Sequence, residues 1–270
     1  MRPLLKKHIA LPQEHGSWVF LFSPLLIGLF AGEHWHTVSL YLALAALFAF
    51  LLRQPLTVLV KVRSGRRPRR DLPAARFWAL VYAGLSALMV LVLVVRGYAY
   101  VLWLALPGVP VFAWHLSLVS RRAERRQMGV EIVAAGVLAL IASGAYWVGR
   151  GEPHPLGWLL WLLTWLQAAA SIVYAYLRLE QRVWEEVPPL ATRFRRAGRA
   201  LAYAFFDLAF VGILAAWGVI SPGVVLPFGL QAAETLWGAA VPAVGMRPTR
   251  IGVRQLLVST LFTLLFILGW

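Results

Sequence analysis

The chain is a succession of apolar runs separated by short polar ones. An α-helix needs about 20 mostly apolar residues to cross the hydrocarbon of a bilayer. Nine runs near that length occur, at about 17–31, 38–52, 77–95, 98–119, 130–148, 156–176, 200–218, 219–241 and 251–270. The seventh and eighth are parted only by Ser221-Pro222-Gly223, a turn signal that predicts a tight hairpin. No polar stretch is long enough to bury a core of its own. The pattern predicts an all-α polytopic membrane protein, a single transmembrane domain over residues 1–270 with about nine spanning helices.

Composition points the same way. Hydrophobic residues make up 60% of the chain and charged ones 14%, and the mean hydropathy is +0.72. Soluble domains run about 45–50% apolar and about 25% charged. Most of this chain therefore sits in a solvent other than water. Cysteine is absent, which excludes a disulfide framework, a thiolate metal site and a cysteine nucleophile. The first residues, Met1-Arg2-Pro3-Leu4-Leu5-Lys6-Lys7-His8, hold neither a long apolar run nor a small-residue cleavage site. No cleaved signal peptide is expected, and the first run serves as the insertion signal.

Charge then orients the bundle. The net charge is +15, and 23 of the 26 basic residues are Arg. In a soluble protein that balance would suggest nucleic acid. Beside membrane spans it is the ordinary mark of cytoplasmic loops, so no nucleic-acid partner is expected. With the N-terminus in the cytoplasm, 24 basic residues fall inside and only Arg96 and Arg150 outside. The expectation is a multi-pass protein of the cell's inner (plasma) membrane with its C-terminus outside. Basic runs such as Arg66-Arg67-Pro68-Arg69-Arg70 would meet anionic phospholipids, at about 1 kcal/mol per basic residue near the surface. Two long inside connections, 53–76 and 177–199, follow the second and sixth runs. They suggest two four-helix halves plus one helix, with any chemistry on the cytoplasmic face.

Ionisable groups inside spans are costly, so each is a functional hypothesis. One cluster opens the first run: Pro12-Gln13-Glu14-His15-Gly16-Ser17-Trp18. It reads either as a well-capped interfacial helix or as a site, with Glu14 and His15 as acid–base or orienting groups and Gln13 in binding. A second closes the second run: Arg53, Gln54, Thr57 and Lys61. Arg53, Thr57 and Lys61 share a face if the helix continues past Pro55. A third closes the sixth run, where Ser171, Tyr174, Arg178 and Gln181 share a helical face beside Glu180 and Arg182. The plain alternative for these two is an interface belt of snorkelling cations and Tyr. Glu131, Asp207 and Glu234 lie in the cytoplasmic halves of their runs. Singly each reads as a helix-packing group; with Glu14 they outline a polar cavity open to the cytoplasm. His115 reads as an interfacial ring. His34-Trp35-His36 is too sparse for a metal site, and no metal or cofactor is expected. No phosphate-binding loop, dinucleotide fingerprint, His-Glu-x-x-His or Gly-x-Ser-x-Gly motif occurs.

Three segments carry a family resemblance. Leu11-Pro12-Gln13-Glu14-His15-Gly16-Ser17-Trp18 with Phe22-Ser23-Pro24, then Leu51-Leu52-Arg53-Gln54-Pro55-Leu56, then Arg247-Pro248-Thr249-Arg250-Ile251-Gly252-Val253-Arg254-Gln255 resemble the YwiC-like family of bacterial membrane proteins. The layout also resembles, more distantly, the UbiA prenyltransferase superfamily. That likeness implies a helical bundle binding a prenyl diphosphate through magnesium held by two Asp-rich motifs, after helices two and six. This chain departs from it at both places. The first reads Arg53-Gln54-Pro55-Leu56-Thr57-Val58-Leu59-Val60-Lys61 and the second Tyr176-Leu177-Arg178-Leu179-Glu180-Gln181-Arg182. Magnesium prefers carboxylate and phosphate oxygens, and cations stand there instead.

The resulting expectation is a UbiA-like enzyme or binder for an isoprenoid-type or other anionic-headed lipid, without aspartate-bound magnesium. Arg53, Lys61, Arg178 and Arg182 would hold the head group, Gln54, Glu131 and Tyr174 would line its site, and one elongated pocket would join the Glu14, Arg53 and Arg178 neighbourhoods. The competing expectations are a proton- or cation-coupled transporter and a non-catalytic membrane assembly partner.

Overall fold

A computed structural model describes residues 6–12, 15–121 and 127–270. It is all-helical: α1 (Lys7–Ala10), α2 (His15–Ala31), α3 (Thr37–Arg63), α4 (Leu72–Val95), α5 (Ala105–Ser120), α6 (Met128–Arg150), α7 (Pro155–Gln181), α8 (Leu190–Ala216), α9 (Val225–Ala240) and α10 (Pro248–Gly269). Short 3-10 turns precede α4 (Arg69–Asp71), α5 (Ala99–Leu104) and α9 (Pro222–Val224). Seven helical segments, α3 to α8 and α10 with their leading turns, are long and apolar enough to cross a membrane. The other three are shorter: α1 has 4 residues, α2 has 17 and α9 has 16, the last two roughly 25 Å each at 1.5 Å per residue.

Four helices run well past the apolar pattern. α3 continues through Pro55 to Arg63, α4 begins at Leu72, α7 reaches Gln181, and α8 begins at Leu190. A proline removes one backbone hydrogen bond, but α3 survives it because packing resumes beyond. Val58 and Val62 are buried against Ile9, Ala74 and Ala75. The two long connections expected at 53–76 and 177–199 are therefore mostly helix, with loops near 64–71 and 182–189.

Cross-contacts fix how the helices alternate. At one end Lys6 pairs with Asp71 at 2.7 Å, Arg66 reaches the Val119 carbonyl, and Tyr176 meets Glu131. At the other, Tyr100 bonds the Trp147 carbonyl and Trp147 bonds the His154 carbonyl. The first end is the basic end.

The bundle centres on α6 and α7, each 56% buried over its most apolar window, against 6% for α5. α2 crosses α6 at glycine. Gly28 and Gly32 are four apart, and a Cβ on Gly28 would strike the Ala142 carbonyl, while one on Gly149 would come within 2.8 Å of the Gly32 carbonyl. Small residues at this spacing let helix backbones approach in lipid, where packing drives association. The indoles of Trp161 and Trp165 donate to the Gly136 and Ile132 carbonyls, both at 2.9 Å, and stitch α7 to α6.

Candidate functional site

Two regions stand out, on different helices. The first is a cavity of about 400 Å³ among α3, α4, α5 and α6. On α3 its wall is Leu42, Ala45, Ala46, Ala49, Phe50 and Arg53, spaced so that they share one face. Ala105, Gly108, Val109, Phe112 and His115 face it from α5, and Ala134, Val137, Leu138 and Ile141 from α6. Small side chains on three facing helices leave the space. Ser86, on α4, bonds the Ala45 carbonyl at 3.1 Å, which leaves Arg53 and His115 as the ionisable groups of the lining. Both lie in the half of their helix nearer the basic end. α5 packs on α3 and α6 rather than along α4. Val109 and Leu102 line the cavity yet are 64% and 45% exposed, so its mouth opens sideways beside α5.

The second region is polar and lies among α7, α9 and α10. Arg254 grips Glu234 with two bonds, Nε to Oε1 at 2.6 Å and Nη2 to Oε2 at 2.7 Å. The Tyr174 hydroxyl donates to the same Oε1 at 2.9 Å, and the Arg254 guanidinium lies 3.6 Å over the Trp237 ring. One turn toward the basic end, Arg178 is 2% exposed. Its Nη1 donates to the carbonyls of Gly238 and Val241, at 2.8 and 2.7 Å, and to Gln181 Oε1 at 2.8 Å. Gln181 in turn bonds the Gly238 carbonyl at 2.9 Å and takes the Ala243 amide at 3.2 Å. Arg193 reaches the Ala240 carbonyl at 2.7 Å. These carbonyls belong to the last turn of α9 and the residues just past it, which lack intrahelical partners and carry the negative end of the helix dipole. Arg178 and Arg193 are thus the caps of α9.

The expected site residues are divided between these regions and the margins. Arg53 lines the apolar cavity, whereas Tyr174 and Arg178 belong to the polar cluster. The single pocket expected to join Arg53 with Arg178 is not formed, because α7 turns its polar face toward α9 and α10. Gln54 Nε2 donates to the His8 carbonyl at 3.0 Å and ties α1 to α3. Arg182 caps α7, its Nε 3.4 Å from the Met246 carbonyl. Glu131 accepts the Tyr176 hydroxyl at 2.8 Å. Lys61 sits on α3 two turns past Arg53. Gln13 and Glu14 lie outside the described residues, as does the side chain of His15. Asp207 is 1% exposed on α8, with no hydrogen-bond partner for either oxygen among the described residues. In sequence His115 reads as an interfacial ring, and Arg254 is only one of the inside basic residues near the start of the ninth run. The packing of α5 and α10 gives them a place.

A family model described as YwiC-like protein matches residues 11–148, which include every residue lining the apolar cavity. An uncharacterized protein YwiC of Bacillus subtilis (strain 168) is 26% identical over 176 residues, 64% of this chain and 68% of its own length. No solved structure matches, and the likeness to the UbiA superfamily rests on the sequence alone. The family model spans half of the chain and the helices that build the cavity, so the chain belongs to the YwiC-like family.

Proposed function

We propose that this integral membrane protein binds a lipid with a long, isoprenoid-type or similar apolar chain and an anionic head group, in the cavity among α3, α4, α5 and α6. The observation that carries this reading is the cavity itself, with an apolar wall and Arg53 and His115 as its ionisable lining groups. The chain lies along the alanine face of α3, and the head group meets Arg53, with His115 beside it. Arg suits bidentate contact with phosphate or carboxylate. Entry is from the bilayer, through the mouth beside α5.

The medium decides where affinity comes from. Lipid tails are as apolar as Leu, so moving a chain from bilayer to cavity gains little. Retention rests on the head group, where a charge-assisted hydrogen bond contributes about 1.5–3 kcal/mol. With the basic end on the cytoplasmic side, the head would sit near that face of the plasma membrane. The cations at the positions of the UbiA Asp motifs make this binding independent of aspartate-held magnesium.

Native mass spectrometry of the detergent-purified protein tests the reading. Wild type is expected to carry a lipid that Arg53→Ala loses. Equal lipid content in the two proteins overturns it.

A further inference from the structure

α7, α9 and α10 meet along a seam that the lipid site does not use. α7 contributes Gln167, Ser171 and Tyr174, α9 contributes Gln231, Glu234 and Thr235, and α10 contributes Gln255 and Ser259. In each helix the residues recur at three or four, so three polar faces converge inside a bundle whose other walls are apolar. Helix packing in lipid uses such groups, and most here bond directly. Ser171 meets Gln255 Oε1 at 3.1 Å, and Tyr174 meets Glu234. Thr235 bonds the Gln231 carbonyl at 2.8 Å, and Gln231 Nε2 donates to the Gln167 carbonyl at 3.2 Å.

Packing does not account for two remaining facts. The seam lines a small cavity of about 10 Å³, the room one water-sized sphere needs. Gln231 lines it at 7% exposure, and its Oε1 has no hydrogen-bond partner among the described residues. A buried amide oxygen without a partner costs about 1–3 kcal/mol by desolvation alone. The site therefore calls for a small hydrogen-bond donor or a small cation. The Glu234–Arg254 pair chooses between them. The one carboxylate lining the cavity is already neutralised by a bidentate guanidinium, so a cation would meet Arg254 without an unpaired counter-charge.

We propose that the α7–α9–α10 seam is a binding site for water, seated on Gln231 Oε1 and shared with the Ser171, Gln255 and Ser259 side chains around it. The site is independent of the lipid cavity. A water there has polar neighbours on all three helices, which is what a retained interior water requires.

Two measurements test this. A density map fine enough to show ordered waters is expected to place one within about 2.7–3.2 Å of Gln231 Oε1. A dry seam in a map with waters elsewhere overturns the proposal. Wild type is also expected to melt alike in sodium chloride and in choline chloride of equal ionic strength. A sodium-specific rise would make the ligand a cation and overturn the assignment to water.

Discussion

The apolar cavity and the polar seam sit in one bundle and treat their cations in opposite ways. Among α7, α9 and α10, nearly every polar group has a protein partner. Arg178 is closed in by carbonyls, and Arg254 by a carboxylate and an indole ring. Among α3, α4, α5 and α6, facing alanine and glycine residues leave a cavity, and Arg53 is part of its lining. A buried cation is thus no mark of a ligand site in itself. What matters is whether the space beside it is filled by the protein's own helices or left as a cavity. By that criterion the polar seam holds the fold together, and the apolar cavity is where we propose that a guest binds.

The difference breaks most sharply at Glu234. Removing one member of a buried ion pair strands the other, at about 3–5 kcal/mol. Glu234 is 9% exposed at its side chain but Arg254 is 42% exposed, so Arg254 can turn toward water after Glu234→Leu and the loss falls near the lower end of that range. Unfolding in mixed detergent micelles measures it. Arg53→Ala in the same assay is expected to stay within about 1 kcal/mol of wild type, the scale of a partly exposed cation. A large loss for Arg53→Ala and a small one for Glu234→Leu would reverse the assignment of the two regions.

Arg178→Ala is the next largest. It uncaps α9 and leaves the Gly238 and Val241 carbonyls buried, at about 2–3 kcal/mol for charge-assisted bonds. Arg178→Lys is expected to restore part of this, since a single nitrogen, Nη1, meets both carbonyls and an ammonium carries three donors on one nitrogen. Both variants are expected to keep the copurified lipid that Arg53→Ala loses. If Arg178→Ala folds normally and sheds the lipid, the head-group site extends into the polar cluster of α7, α9 and α10.

How much of this was legible beforehand follows from what each feature depends on. Spans show in sequence because twenty apolar residues have one destination. The polar face of α7 was equally plain, since Ser171, Tyr174, Arg178 and Gln181 repeat at three and four regardless of neighbours. The partner of that face was not, because it lies in α9 and α10, some sixty to eighty residues away. The ends of α3, α7 and α8 escaped for a related reason. Arg53, Lys61 and Arg182 look like loop charges, while the buried Val58, Val62 and Ala197 that keep those turns helical make contacts no local pattern records. Cavities are the least legible. Ala45, Ala46 and Ala49 read as ordinary helix, and the space before them exists because α5 leans on α3 and α6 instead of α4.

That space gives the third test. Ala49→Trp places an indole in the cavity opposite α5. In a filled core such a change costs about 1–3 kcal/mol through overpacking. Here the void takes the ring, so the unfolding free energy is expected to change by less than about 1 kcal/mol while lipid content falls. Retained lipid, read by mass spectrometry, would move the guest elsewhere.

The smallest effect concerns Glu131, which the sequence offered as a ligand contact. Its carboxylate takes the Tyr176 hydroxyl on an exposed part of the basic end, where water competes for both groups. Tyr176→Phe is therefore expected to cost only about 0.5 kcal/mol and to leave lipid content unchanged. The two readouts separate the possibilities. A small loss with full lipid makes the pair a brace between α6 and α7. Lost lipid at unchanged stability would instead carry the head-group site across the basic end to α6, and would restore the single broad site that the spacing of charges first suggested.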